Sequence, residues 1–209
     1  MSEVIRGVDG VRFTCASIEG APYLSAYITY IVRTYEAGRE IPPFRYDRPV
    51  SFSIRIERNT LRFAAAHFVT FGGKCEALHG HNYDVLVQID GALSDDSWVA
   101  DFGEVKRIVR EIIRPLDHRF LLATANPHLT VSRSANAFEI HFRGRRYVMP
   151  ASDVVELDID NTTAERLAEW IASLLGEELA RLGASNVMSI AVGVEEMPGQ
   201  AGWSTRRIE

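Results

Sequence analysis

Lysine is almost missing from this chain of 209 residues: the only two are Lys74 and Lys106, so nearly all of the 23 basic residues are arginines. Against 28 acidic residues they leave a formal charge of −5. That deficit excludes a nucleic-acid binder whose affinity comes from a basic face, because displacing counterions from phosphates needs many cations. Cysteine is as scarce. Cys15 and Cys75 are too few for a disulfide scaffold, and their separation offers no Cys-x-x-Cys metal pattern. A reducing, cytoplasmic setting is expected. No apolar run approaches the roughly 20 residues of a membrane helix, and Met1 to Gly10 lacks the basic-then-apolar layout of a signal peptide. Neither a membrane nor a nucleic acid is an expected partner. Internal repeats and low-complexity tracts are lacking too.

What is present is an ordinary globular composition, 46% hydrophobic and 24% charged, and enough length for one large domain or a domain with an appendage. Residues 1–50 carry six basic and six acidic residues, so the net charge belongs to the remainder. Leu24, Tyr27, Ile28, Ile31 and Tyr35 follow helical spacing, although their residue types also suit a strand. Pro42-Pro43 ends that stretch. Residues 1–50 read as an N-terminal extension of unknown role, ahead of a domain at 51–209.

From Phe52 onward the pattern alternates. Phe52, Ile54 and Ile56 share one face, as do Leu61, Phe63, Ala65 and His67, and then Tyr83, Val85, Val87 and Ile89 in a strand over 81–89. The period then turns helical at Val105, Ile108, Val109, Ile112 and Ile113, with a capping box at Asp101 and Glu104 and a stop at Pro115. A second helix is predicted to begin at Thr162-Thr163-Ala164-Glu165 and to end at Gly183, placed as a C-cap. A hairpin about Arg143-Gly144 lies between the helices, and a last strand runs from Val187 to Val194. The order predicts an α+β fold, helices covering one face of an antiparallel sheet.

Four of the six histidines fall between His67 and His118. His79 and His81 are two apart, which on a strand points both imidazoles to one side, with Gly80 leaving room between them. His67, at the end of a preceding strand, is placed to bring a third. Three histidines with an open fourth position describe a catalytic zinc site, since a structural site closes all four. Cys75 follows Lys74, whose ammonium favours the reactive thiolate, and Gly72-Gly73-Lys74 argues for a flexible polar loop rather than a buried inert thiol. Asp117-His118 places a carboxylate beside an imidazole, as in acid–base pairs, though alone the dipeptide is common. His128 and His141 read as ordinary polar residues, and Cys15 as a bystander.

These residues, taken in order, resemble the family of 6-pyruvoyl- and 6-carboxy-tetrahydropterin synthases. The pieces are Phe63 to His67; Cys75-x-x-x-His79-Gly80-His81-Asn82-Tyr83; Val99 to Phe102; Leu116-Asp117-His118; Asn161 to Glu165; and Val192-x-Val194-x-Glu196. They span 61–196, with an apparent insertion at about 127–156. The resemblance implies the tunnelling fold, or T-fold: a four-stranded antiparallel sheet from two hairpins, two helices on one face, and a homo-oligomer, trimer or hexamer, with active sites between subunits. It implies that His67, His79 and His81 hold Zn2+, that Cys75 moves a proton, and that Asp117 and His118 form its partner pair. Glu196 would anchor the pterin through two parallel hydrogen bonds, and Thr163 and Glu165 would line the pocket. The implied substrate is 7,8-dihydroneopterin triphosphate, and the implied activity is a zinc-dependent lyase. The three-residue gap between Cys75 and His79 is similar to the branch forming 6-carboxy-5,6,7,8-tetrahydropterin for queuosine synthesis, rather than the pyruvoyl branch. Glu76 resembles instead the hallmark of a branch that cleaves to 6-hydroxymethyl-dihydropterin for folate, or else is a plain loop residue.

A triphosphate needs local cations on an acidic chain, and Lys74, Arg206 and Arg207 are the candidates. Two other classes compete. A non-catalytic pterin- or purine-binding module is motivated by the extension and the insertion, and a generic zinc hydrolase by a base, His118 or Glu76, near a metal-bound water.

Overall fold

The computed structural model describes residues 4–6, 12–14 and 51–208. The chain divides after Pro49 into two units. In the first, β1 (Val4–Arg6) and β2 (Arg12–Thr14) pair antiparallel. The stretch Leu24–Tyr35 and Cys15 lie outside the described residues.

The second unit begins with β3 (Phe52–Ile56) and β4 (Arg62–His67), followed by a small hairpin, β5 (Thr70–Phe71) and β6 (Lys74–Cys75), and the long β7 (His79–Gly91). Helix α1 (Phe102–Ile113) leads to β8 (Arg119–Ala123), β9 (Thr130–Arg133), β10 (Ala137–Phe142), β11 (Arg145–Pro150) and β12 (Val154–Leu157). Helix α2 (Ala164–Arg181) and the hairpin β13 (Val187–Met197) and β14 (Gln200–Arg207) complete it. The expected four-stranded antiparallel sheet is present. β7 pairs along one edge with β4 over its first half and β3 over its second, and along the other with β13, which pairs β14. Two strands that the sequence did not announce extend it: β8 pairs parallel with β4, and β12 parallel with β8.

Alternation drives the layering. Val85, Val87 and Ile89 of β7 and Ile190, Val192 and Val194 of β13 turn to the helices and meet Ile108 and Val109 of α1 and Leu167, Ile171 and Leu175 of α2 in one buried core. Asp101 caps α1 as predicted, its carboxylate accepting from the Glu104 N–H at 2.7 Å. The start of α2 is shifted by one residue from the expected box. Thr163, not Thr162, is the N-cap, accepting from the Arg166 N–H, whereas Thr162 is buried and donates its hydroxyl to the Phe68 carbonyl. Strand β7 starts at His79 rather than His81, so both histidines of the pair lie on regular pleated backbone.

The region 127–156 is a three-stranded sheet, β9, β10 and β11, with the predicted turn at Arg143-Gly144. It closes a second core in which Phe138, Ile140 and Phe142 meet Phe68, Phe120, Leu122 and Cys75. This sheet is therefore the wall behind the Cys75 segment rather than a detached appendage. Removing one of those phenyl rings would cost about 3–5 kcal/mol, the usual result of leaving a cavity in a core.

Candidate metal centre and its surroundings

The pairing of β4 with β7 sets His67 directly opposite His79, and Ala65 opposite His81. His67 and His81 are thereby diagonal neighbours on one face, and the ligand nitrogens of all three histidines lie within 4.8 Å of one another. Ring centroids are 4.6 Å apart for His67 and His79, 5.2 Å for His67 and His81, and 5.1 Å for His79 and His81. Gly80 is required by this approach: a Cβ there would stand 2.8 Å from the Ala65 carbonyl oxygen.

Two backbone carbonyls decide which nitrogens face inward. His67 Nδ1 bonds the Thr162 carbonyl at 2.9 Å, and His79 Nδ1 the Ala77 carbonyl at 2.8 Å, which leaves each Nε2 as a lone-pair donor. Nε2 of His67 and of His81 are buried without a hydrogen-bond partner. Orphaned buried nitrogens cost about 1–3 kcal/mol each, so their convergence fits a cation and little else. Burial lowers the His67 pKa to about 4, with its two histidine neighbours adding to the fall against the Thr162 bond, so the ring is neutral at physiological pH, as a ligand must be. These side chains suit zinc: three imidazole nitrogens and an open position.

Glu196 brings its carboxylate to 3.9 Å from His67 Nε2 and 4.0 Å from His81 Nε2. Burial raises its pKa, His81 and His79 oppose that, and the carboxylates of Glu165 and Glu76 add to it. Glu165 is thus within electrostatic reach of Glu196, while Thr163 caps α2. Glu76 Oε2 stands 3.8 Å from His79 Nε2. Tyr83 lies beneath the histidines, its ring 5.4 Å from His81 and its buried hydroxyl unpartnered, the proton held firmly by desolvation.

The Cys75 environment differs from the sequence expectation. Gly72 and Gly73, with φ of 52° and 72°, make a two-residue turn between β5 and β6, not a flexible loop. Cys75 is only 7% exposed, among the phenyl rings of the second core. Lys74 projects to the other side of the hairpin, as strand alternation requires, and is exposed. The cation beside the thiol is Arg145, whose Nη1 donates to the Cys75 and Glu76 carbonyls, each at 2.8 Å. Burial pushes the thiol above its ordinary range, Arg145 pulls it back, and Glu76 adds to the rise.

Asp117 and His118 form the expected pair, with Nδ1 to Oδ2 at 3.0 Å. Asp117 is tied to β4 by the Ala64 N–H at 2.8 Å, a bond that lowers its pKa. Yet His118 is 79% exposed and lines an open trough with Ala64, Ala66, Gly80, His81 and Asn82, to which Cys75, His67 and His79 do not contribute. Within one chain the fourth expected histidine thus shares a lining with His81 and stays outside the cluster of three ligand nitrogens. Arg206 and Arg207 are exposed on β14; His128 is exposed, and His141 pairs with Glu139 at 2.7 Å.

Comparison with known proteins decides what this arrangement belongs to. The sequence model of 6-pyruvoyl tetrahydropterin synthase matches residues 55–206. The chain belongs to the 6-pyruvoyl tetrahydropterin synthase family. A Methanocaldococcus jannaschii relative, provisionally named 6-carboxy-5,6,7,8-tetrahydropterin synthase, is 35% identical over 150 residues, covering 71% of this chain and 92% of its own. The Haemophilus influenzae 6-carboxy-5,6,7,8-tetrahydropterin synthase is 30% identical over 125 residues, 54% of this chain and 76% of that one. Among solved structures, the Plasmodium vivax 6-pyruvoyl tetrahydropterin synthase superposes with a TM-score of 0.72 at 31% identity, covering 76% of this chain and 99% of that chain.

Within this family member, sequence reasoning missed three supports. Thr162 orients His67 through its carbonyl, invisible in a side-chain motif. Asn161 holds both the N–H and the carbonyl of Thr70, at 3.2 and 2.8 Å, pinning the turn after β4. Arg145 comes from β11, where no motif pointed. The first two lay inside the quoted Asn161–Glu165 piece, and read only as a helix start.

Proposed function

We propose that this chain is a zinc-dependent lyase that converts 7,8-dihydroneopterin triphosphate, with one water, to 6-carboxy-5,6,7,8-tetrahydropterin, acetaldehyde and triphosphate. The observation that carries this reading is the convergence of the three histidine nitrogens beside Glu196, in a chain whose relatives include proteins named 6-carboxy-5,6,7,8-tetrahydropterin synthases. His67, His79 and His81 would hold the ion, which supplies Lewis-acid polarisation of the substrate's side-chain oxygens when bound. Glu196 accepts two N–H bonds from the pterin edge and so fixes the ring with its side chain toward the histidines. Cys75 removes a carbon-bound proton as thiolate, and the Asp117-oriented His118 moves protons on the opposite side of the substrate. Thr163 and Glu165 border the pterin, and Lys74, Arg206 and Arg207 are the cations offered to the phosphates.

The exposure of His118 supports a site completed between chains, as does the open edge strand β14, in a homo-oligomer of trimeric or hexameric form. Among the described residues no helix is long and apolar enough to cross a membrane. The test is direct. Zinc-loaded protein mixed with the triphosphate should release acetaldehyde and a carboxy-tetrahydropterin of the expected mass, and no turnover at all would overturn the reading. Two observations favour a second outcome, cleavage to 6-hydroxymethyl-dihydropterin. Glu76 stands against His79, and a Pyrococcus furiosus dihydroneopterin monophosphate aldolase shares 37% identity over 59 residues. A hydroxymethyl product without acetaldehyde would select it.

A further inference from the structure

We propose that Arg145, carried into place by the hairpin β10–β11, is the positioning residue for Cys75, so that the insertion is part of the catalytic apparatus. This rests on the reading of Cys75 as the proton-transfer group. The geometry has three parts. First, one guanidinium nitrogen, Arg145 Nη1, bonds the carbonyls of both Cys75 and Glu76. It thereby fixes the two successive peptide planes that follow Cys75. Second, the Cys75 Sγ–H donates to the same Glu76 carbonyl, at 3.4 Å. Once that proton leaves, sulfur and oxygen repel each other, and a cation already on the oxygen offsets the repulsion. Third, the hairpin cannot slide away. Phe138, Ile140 and Phe142 of β10 are buried against Phe68 and Cys75, and Tyr147 of β11 stacks on Phe68 with centroids 5.2 Å apart. At the tip, Arg143 lies over the glycine turn so closely that a Cβ at Gly73 would meet its guanidinium at 2.9 Å.

The charges facing the thiol are few. Lys74 points away on the same short strand, Glu76 opposes ionisation, and the inward residues of β10 are apolar. Arg145 is the cation that β11 supplies, with Tyr147 beside it. An arginine suits the task better than a lysine, because its planar, weakly hydrated fork keeps its charge and its direction against backbone oxygens.

The test uses the full chain, with alkylation of Cys75 by iodoacetamide followed across pH and read on its peptide by mass, so that Cys15 does not interfere. In Arg145→Ala the alkylation midpoint should move up by about one pH unit, and the rate at neutral pH should fall about tenfold, because losing the cation leaves burial unopposed. Arg145→Lys should fall between the two, keeping charge but not the paired carbonyl bonds. In the pterin assay kcat should fall with KM unchanged, while zinc stoichiometry stays as in the parent, showing that the fold is kept. An unchanged alkylation profile together with an unchanged kcat in Arg145→Ala would overturn the proposal. If Arg145→Ala does not fold, Arg145→Lys with parental alkylation and parental kcat overturns it instead. Failure of the functional reading shows up separately: Cys75→Ala would then turn over the pterin like the parent, whatever alkylation reports.

Discussion

His67 and His118 stand at the ends of neighbouring stretches of one sheet and live in opposite worlds. His67 is 1% exposed, its Nδ1 satisfied by a carbonyl and its Nε2 aimed at two other imidazoles. His118 is 79% exposed, its ring paired with Asp117, with a backbone φ of 57°. The first is a finished half-site in which two of the three rings are oriented by backbone carbonyls before any ligand arrives. The second is oriented but open to the trough. The contrast teaches where the chain is self-sufficient: the three ligand nitrogens converge within one chain, whereas the proposed proton transfer through His118 would need something to cover the trough.

The comparison breaks most completely at the metal. His81→Ala removes one of three ligands, and zinc content should drop to near zero with turnover lost beyond detection; near-stoichiometric zinc, measured by atomic emission on purified protein, would count against a three-histidine site. His118→Asn is the matched change on the other side, since asparagine tolerates the left-handed backbone there. It should cost roughly 10²–10⁴ in kcat, the usual worth of a positioned acid or base, with zinc content untouched. Co-expressing His79→Ala and His118→Asn chains sharpens the contrast further. If the halves meet between subunits, mixed oligomers regain activity that neither variant has alone; silence from the mixture would mean that each site is built within one chain. A smaller effect is expected at Glu196, where Glu196→Gln keeps the size but loses the charge on both hydrogen bonds. KM should rise by about 10- to 100-fold, as a lost charge-assisted pair is worth about 1.5–3 kcal/mol.

Much of this is legible in the sequence, for a physical reason. Strand alternation is strict, so His79 and His81 had to share a face, and Asp101 had to cap a helix whose apolar period began just after it. The order of the helices and hairpins followed from period changes in the same way. What stayed hidden has a physical reason too. The burial of Cys75 depends on Phe138 and Phe142, more than sixty residues away, and no local pattern around Gly72-Gly73 announces them. The parallel strands β8 and β12 are too short and too plain to signal themselves. The exposure of His118 could not be read from Asp117-His118, since a dipeptide carries no information on what covers it.

The smallest predicted effect tests whether the finished half-site owes its finish to its supports. Asn161 makes no contact with a histidine in the hydrogen-bond network; it grips the backbone of Thr70 on both sides, while Asn126 bonds the Thr70 hydroxyl at 2.8 Å and Thr162 holds Phe68. Together these bonds fix the segment leaving β4 against the one entering α2, the same junction at which the Thr162 carbonyl orients His67. Asn161→Ala removes the two to Thr70, and with them the bond from the Thr162 N–H to Asn161 Oδ1, and leaves the ligands themselves intact. Zinc affinity should fall by about 10-fold, at the mild end of the loss seen when groups behind metal ligands are removed, because His67 must now be ordered by the ion rather than for it. The measurement is competition against a chromogenic chelator. Equal affinity in parent and variant would mean that the β4–β7 pairing alone orients the imidazoles, and that the difference between His67 and His118 arises from burial rather than from hydrogen bonds behind the ring.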